Sequence, residues 1–238
     1  MDLHSAMFAR RAVARFSPEP LDQGTLEAIL GEVRAGAQMD GQSAEVELAT
    51  VDQVRIGPSS IRDKAPHYLL AHTPQTGAGF ANAGYLLQLA DLSIQAQGFG
   101  SHWLGMANPR QPRPDFTVML AFGATAEPPR RSEDEFKRLP LDRIAAPANA
   151  AEQAVARAVR VAPSGMNTQP WRIEFARALI RLIQAPRGAA RLLTTKKYDK
   201  ISLGIAARHA SIALTHAGRQ VTGVTATTSN GAFALELV

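Results

Sequence analysis

Two short stretches concentrate the residues able to do chemistry. Residues 162–171 read APSGMNTQPW. Gly165 lets the backbone approach a ligand closely or adopt a positive φ. Pro163 and Pro170 stiffen the loop. Asn167 offers a donor and an acceptor, which suits the edge of a heterocycle with alternating C=O and N–H groups, and Ser164 adds a hydroxyl. The same residues also describe a stiff helix-to-strand turn with Trp171 in the core, and both readings stand at this point. The second stretch is ARRAVARF, residues 9–16, with Arg10, Arg11 and Arg15 in six positions. Guanidinium forks bind phosphate oxygens with paired hydrogen bonds. A solvated helix end, whose arginines favour the negative pole of the dipole, has the same composition. FKRLPL, residues 136–141, is a third basic spot, before a proline.

Mixed helices and strands position these residues. LHSAMFARR reads as a first helix. Asp22 caps a second, in which Leu26, Ile29, Leu30 and Val33 recur at helical spacing. AEVELA alternates like a strand, and HYLLAHT and FTVMLAFG read as buried strands. AGYLLQLADLSIQAQG is a long helix that Gly98 ends in a left-handed turn. A Pro- and charge-rich connection covers residues 126–148. The helix AEQAVARAVRVA follows, then strands WRIEFA and ALIRLI around Arg177. LGIAARHASIALTHAG is a second long helix, ending at Gly218. QVTGVTATTS and AFALELV form a hairpin around Asn230-Gly231. The fold class is α+β.

Composition narrows the function classes. The 238 residues are 45% hydrophobic, enough for a sizeable core. There are no cysteines, hence no disulfides or thiolate metal sites, which fits a cytoplasmic protein. No apolar run approaches a membrane span, and the start lacks a basic-then-apolar signal layout, so secretion is not expected. The net charge of +5 is uneven. Up to Ala145 there are 14 Lys+Arg against 17 Asp+Glu, and from Ala146 on 12 against 4. A basic half suits an anionic partner. The arginines are scattered without aromatic interleaving, which favours a phosphorylated small molecule over nucleic acid. The histidines show no metal-ligand pattern. His209 and His216 read as packing or surface residues, while His102 faces either a pocket or the interior. Ser164 lacks the context of a hydrolase nucleophile.

An internal repeat is expected. Residues 35–49, AGAQMDGQSAEVELA, align without gaps on 162–176, APSGMNTQPWRIEFA, matching at Ala35/Ala162, Met39/Met166, Gln42/Gln169, Glu47/Glu174 and Ala49/Ala176. Gly84 to Gly98 brackets a helix of the same length as Gly204 to Gly218. The expectation is two related lobes, residues 1–145 and 146–238, packed as a pseudo-dimer in one compact unit.

ARRAVARFSPEP resembles the opening of the FMN-dependent nitroreductase superfamily, usually Arg-Arg-Ser-x-Arg-x-Phe. APSGMNTQPW resembles that family's Pro-Ser-x-x-Asn-x-Gln-Pro-Trp loop, the more specific match. NAGYLLQLADLSIQAQGFGSHWLG is similar to its long central helix followed by Gly-x-Gly-x-x-Trp-x-Gly, and Arg138-Leu139-Pro140 resembles its late phosphate-binding arginine. Ordinary members are homodimers with each FMN at the interface. The order of motifs here resembles a single-chain branch in which two half-like lobes are fused. The resemblance implies a nitroreductase-like fold with mostly antiparallel sheets, long core helices and a pseudo-two-fold repeat.

It implies one FMN per chain. Arg10, Arg11 and Arg138 would hold the phosphate, with Ala12 at the motif's hydroxyl position. Pro163, Ser164, Gly165 and Asn167 would line the ring and ribityl chain. The Gly98-Phe99-Gly100-Ser101 turn, through Gly100 and Ser101, would present N–H groups towards N5. No protein acid or base and no metal is expected. Asp40, aligned on Asn167's loop, marks an abandoned second site. Ala12 lacks the family serine's hydroxyl, and Ala14 stands where relatives carry a basic residue. The function implied is hydride transfer from NAD(P)H to FMN and on to a small nitroaromatic or quinone-like acceptor. The alternatives are a flavin binder without efficient turnover (carrier, sensor or relic) and a basic interaction module. Partners are small molecules rather than nucleic acid or membrane, and the chain is expected to be a monomer or weak dimer.

Overall fold

The computed structural model describes residues 1–57, 61–176, 179–186 and 196–238. The expected turn around Arg177 lies outside the described residues. Helices α1 (Leu3–Ala9) and α2 (Gln23–Ala35) lead to strand β1 (Glu45–Thr50), a two-residue strand β2 (Val54–Arg55) and β3 (His67–His72). The long helix α3 (Gly77–Ala96) is followed by β4 (Gly100–Leu104), short β5 (Asn108–Pro109) and β6 (Phe116–Gly123). After a connection containing two 3-10 turns come α4 (Ala150–Val161), β7 (Trp171–Ala176), β8 (Leu179–Gln184), α5 (Lys196–His216), β9 (Val224–Ser229) and β10 (Ala232–Leu237).

Local chemistry sets most of these boundaries. The Asp22 carboxylate accepts from the Thr25 N–H at 2.9 Å and opens α2. Thr76 does the same for α3 and Asn149 for α4. Both long helices begin earlier than their apolar runs suggest, at Gly77 rather than Ala83 and at Lys196 rather than Leu203. Both end in one way. Gly98 has φ +90° and Gly218 φ +77°. The N–H groups of Gly98 and Phe99 donate to Gln95 O and Ile94 O, and those of Gly218 and Arg219 to Thr215 O and Leu214 O. Asn230 and Gly231 both have positive φ and turn the β9–β10 hairpin.

Two four-stranded antiparallel sheets result. Their strand orders are β1-β3-β6-β4 and β7-β8-β10-β9. In each sheet the first, second, fourth and third strands stand side by side, with a long helix between the second and third in sequence. The main core packs α3 and α5 between inward residues of both sheets, such as Leu69, Leu120 and Phe122 from one and Trp171, Leu182 and Leu235 from the other. The first sheet also buries its other face, through Tyr68, Leu70, Met119 and Ala121 against Val13 and Phe16.

Helices α3 and α5 cross in close contact. A Cβ on Gly84 would lie 2.0 Å from Ile201 O, and one on Gly204 would lie 1.8 Å from Ala81 O. The contact is reciprocal, each helix meeting the other's backbone three residues before its own glycine. Among the described residues no helix is long and apolar enough to cross a membrane.

Candidate functional site

The arginine motif leaves the end of α1 and runs beside β4. Arg10 points inward, and its Nε donates to Asp91 Oδ2 at 2.6 Å, with both side chains buried. Asp91 is the lone charged residue of α3 and a polar hub. It also accepts from Ser101 Oγ, from Gln95 Nε2 at 3.1 Å, from Gln88 Nε2 at 3.0 Å and from Trp103 Nε1 at 3.4 Å. Burial pushes its carboxyl pKa up, but Arg10 and the hydrogen bonds outweigh burial and hold it below the ordinary carboxylate value. Gln88 links the hub to buried His209, whose Nδ1 lies 2.8 Å from Ala158 O and whose Nε2 lies 3.2 Å from Gln88 Nε2. Burial drives the imidazole's pKa down to about 3, so it is neutral, with Nδ1–H donating to Ala158 and Nε2 accepting from Gln88.

Arg11 turns the other way. Its Nη1 donates to Pro128 O at 3.0 Å, and its N–H donates to Gln95 Oε1. Ala12 is exposed and forms a parallel bridge with Ser101. The N–H groups of Ala14 and Arg15 both donate to Glu127 Oε1 at 2.8 Å.

The PSGMN loop meets Arg138 directly. Arg138 Nη1 donates to Asn167 Oδ1 at 2.7 Å, Nη2 to Val161 O at 3.2 Å, and Asn167 Nδ2 donates to Lys137 O at 2.7 Å. The loop is sharply wound: Met166, Asn167 and Gln169 take φ values of +50°, +55° and +47°. Ser164 Oγ accepts from Gln169 N and Gly165 N donates to Ser202 Oγ of α5, so these groups shape the loop. Pro163 is half-buried and precedes it. The Tyr198 ring lies against Gly165 and Gly105, and its hydroxyl donates to Gly105 O, closing the loop onto the segment after β4. Trp171 is in the core, as the turn reading expected.

The structure gives the Gly98–Ser101 segment another role from the one expected. The Gly98 and Phe99 N–H groups terminate α3. Gly100 and Ser101 are buried in β4, where a Cβ on Gly100 would meet Val13 and Thr125 at 2.7 Å. They act through Val13, Ala12 and Asp91, not as an open turn. His102 is structural too, with Nδ1 2.7 Å from Val13 O and its pKa lowered by burial.

Two residues escaped the sequence reading. Asp91 was marked by its isolation in an apolar helix. Arg130 follows Pro128-Pro129, and its guanidinium carbon lies 4.6 Å from the Phe136 ring centroid, with that of Arg138 at 5.5 Å from the same centroid. Burial, then the charges of Arg10, Arg130 and Arg160, bring the Arg138 pKa down to about 10. The Nε atoms of Arg130 and Arg138 are buried without a hydrogen-bond partner. Crowded cations with unmet donors suit a phosphate ester, and in this respect the residues fit FMN. Two surface clefts, about 430 Å³ beside β7 and about 670 Å³ between α1, α2 and α3, are lined by none of these residues. No metal-holding group of His, Asp or Glu occurs among the described residues.

The loop at Asp40, aligned on the Asn167 loop in the sequence, is exposed and tied to the segment at β9. Asp40 N donates to Val224 O at 2.9 Å, its Oδ2 accepts from Thr225 Oγ1 at 2.7 Å, and a Cβ on Gly223 would lie 2.6 Å from that oxygen. Arg208 lies buried over the Tyr85 ring and donates to Ala37 O.

A family model described as "Putative TM nitroreductase" matches residues 2–214. A crystal structure of a nitroreductase of that description from Thermotoga maritima superposes with a TM-score of 0.69 at 18% identity, covering 100% of this chain and 94% of the other. A nitroreductase family protein from Clostridium difficile 630 is 14% identical, with a TM-score of 0.48, over 63% of this chain and 99% of that one. A nitroreductase with bound FMN from Desulfitobacterium hafniense is 15% identical, with a TM-score of 0.41, over 59% and 100%. No curated protein matches.

Proposed function

The chain belongs to the TM nitroreductase family, and from that premise we propose that it is an FMN-dependent oxidoreductase of nitroreductase type. The observation that carries the reading is the meeting of Arg138 with Asn167, at 2.7 Å, beside the charges of Arg10 and Arg130. Two stretches 29 residues apart thereby form one cationic, donor-rich edge. Bound there, FMN supplies two-electron chemistry between NAD(P)H and a small nitroaromatic or quinone-like acceptor.

The residues of the chain bind and orient. Arg11 and Arg138 hold the phosphate, and Arg10 contributes its charge from a position fixed by Asp91. Asn167 and the backbone of Pro163–Gly165 line the ring and ribityl chain, while Ala12 leaves room without adding a donor. Gly100 and Ser101 support the arginine motif from behind. No side chain is assigned proton transfer.

We read the chain further as two lobes, 1–145 and 146–238, related by a pseudo-two-fold axis through the α3–α5 crossing. The common strand order, the reciprocal glycine contacts and the matched helix endings support this. One FMN per chain goes with this reading, because the Asp40 N–H and carboxylate are already engaged by Val224 O and Thr225 Oγ1 and Asp40 puts a negative charge where Asn167 stands in the other loop.

A second reading, a flavin binder with poor turnover, has its own support. Relatives carry a basic residue where Ala14 stands, and here the Glu127 carboxylate accepts from the Ala14 N–H. Negative charge near the flavin disfavours its anionic reduced form. The deciding experiment is the visible spectrum of freshly purified protein, followed by anaerobic NADH and then NADPH. A yellow protein with about one flavin per chain that bleaches supports the reductase. One that stays oxidised supports the binder. A colourless protein that takes up no added FMN refutes both.

A further inference from the structure

Arg130 belongs to none of the expected motifs, yet the arginine cluster is built around it. Its N–H donates to Ala9 O at 2.8 Å, which pins it directly behind Arg10. Its Nη1 donates to Glu135 O at 2.6 Å. That carbonyl and the Phe136 ring hold the guanidinium plane, while Nε is buried and unpartnered. Arg138 lies over the same ring with its own Nε unpartnered. Arg11 reaches Pro128 O, two residues before Arg130. Burial, Arg11 and Arg10 all lower the Arg130 pKa, and Glu135 is the acidic residue that opposes them.

Among the described residues, Arg11, Arg130 and Arg138 form no ion pair with a carboxylate, while Arg10 pairs with Asp91. Arg157 and Arg160 of α4, by contrast, pair with Glu133. Two of these three unpaired arginines, Arg130 and Arg138, share the Phe136 ring. Like charges confined together with unmet buried donors are unfavourable unless an anion joins them.

We infer that Arg130 is an anion-binding residue, and that with Arg11 and Arg138 it forms a site for a phosphate monoester dianion. Its fork supplies the donor that Ala12 lacks. The inference rests on the flavin reading only for which ester binds. The same chemistry also takes free orthophosphate.

The test compares wild type with Arg130→Gln and Arg130→Lys. FMN and riboflavin, which lacks the phosphate, are titrated by flavin fluorescence, and orthophosphate by calorimetry and thermal melting. In Arg130→Gln, FMN affinity is expected to fall ~10- to 100-fold, the range for losing charge-assisted bonds, with riboflavin affinity unchanged. Arg130→Lys keeps a point charge without the fork and falls between. Orthophosphate should raise the melting temperature of wild type and not that of Arg130→Gln. In phosphate-free buffer Arg130→Gln should melt at or above wild type, because a repelling charge is gone. A merely structural arginine would lower the melting temperature and weaken both flavins alike, and that result overturns the proposal. So does orthophosphate stabilising wild type and Arg130→Gln equally. If Arg130→Gln fails to fold, Arg130→Lys decides by the ratio of FMN to riboflavin affinity. Arg130-dependent uptake of orthophosphate without flavin binding would keep the anion site and refute the flavin reading. Uptake of neither by wild type refutes both.

Discussion

Replacing Gly204 by alanine puts one methyl group into the crossing of α3 and α5. The added carbon would lie 1.8 Å from Ala81 O and 2.9 Å from Tyr85 N. An ordinary C···O approach is about 3.3 Å, so the helices must separate by roughly 1.5 Å. The obstacle is helix backbone, which cannot rotate aside as a side chain would. Overpacking of well-packed cores costs about 1–3 kcal/mol, and a backbone clash belongs at or above the top of that range. At about 2–4 °C per kcal/mol for a chain of this size, Gly204→Ala should lower the melting temperature by about 6–12 °C. Gly31→Ala is the control. That glycine lies on the exposed side of α2, with nothing within 4 Å of an added Cβ. There the same change should stabilise by about 0.5–1 kcal/mol through helix propensity. Gly84→Ala should match Gly204→Ala, and the double variant should cost less than the sum, because the first methyl already parts the helices. Melting curves followed by circular dichroism measure all four. If Gly204→Ala melted with wild type, or gained like Gly31→Ala, the close crossing would be refuted. The crossing also sets the site: α3 carries Asp91 and α5 carries Ser202, so FMN affinity should fall with stability.

Three further outcomes follow from the site. Asp91→Asn leaves buried Arg10 without its counter-charge and should cost about 3–5 kcal/mol in urea denaturation. Because the folded Asp91 pKa lies below its ordinary 3.8, the wild-type contribution is present above that pH and fades as pH falls towards the folded value, and this acid limb should be absent in the variant. His209 has a folded pKa of about 3 against 6.5 ordinarily, so stability should drop as pH falls from 6.5 towards 3, by up to about 1.4 kcal/mol per pH unit. His67 and His102 add to that slope, so the test is its reduction in His209→Gln, read from urea midpoints at neutral and mildly acid pH. Asn167→Asp copies the Asp40 loop; its carboxylate would neutralise Arg138 and face Lys137 O, and FMN titration should show affinity at least ~10-fold lower.

What the sequence made legible was local. Asp22, Gly98, Gly218 and Asn230-Gly231 act within a few residues of themselves, and their caps and turns stand where expected. The starts of α3 and α5 were not legible, because Gly77, Gly79 and the polar residues from Lys196 lack the apolar spacing that marks the rest of each helix. The β2–β5 pair is two residues long and depends on a partner about fifty positions away. At the site, the loop and arginine motif could be recognised by type, but their partners could not. Arg10 and Asp91 are 81 residues apart, and Asn167 reaches back to Arg138 across helix α4. Whether Arg10 is free or paired is decided by three-dimensional packing alone. Arg130 gave no signal beyond its charge.

The bond between Arg138 and Asn167 lies within one polypeptide. Where a binding site is assembled from two separate subunits, mass action governs it, and dilution below the dissociation constant dismantles it. Covalent connection replaces that constant with a fixed effective concentration, set by the chain between the two stretches and independent of how much protein is present. Cofactor affinity should therefore be the same at high and at vanishing protein concentration. On the two-lobe reading proposed above, the two loops are also free to diverge, since a substitution in one is not copied into the other, and the contrast between Asp40 and Asn167 is what such freedom permits.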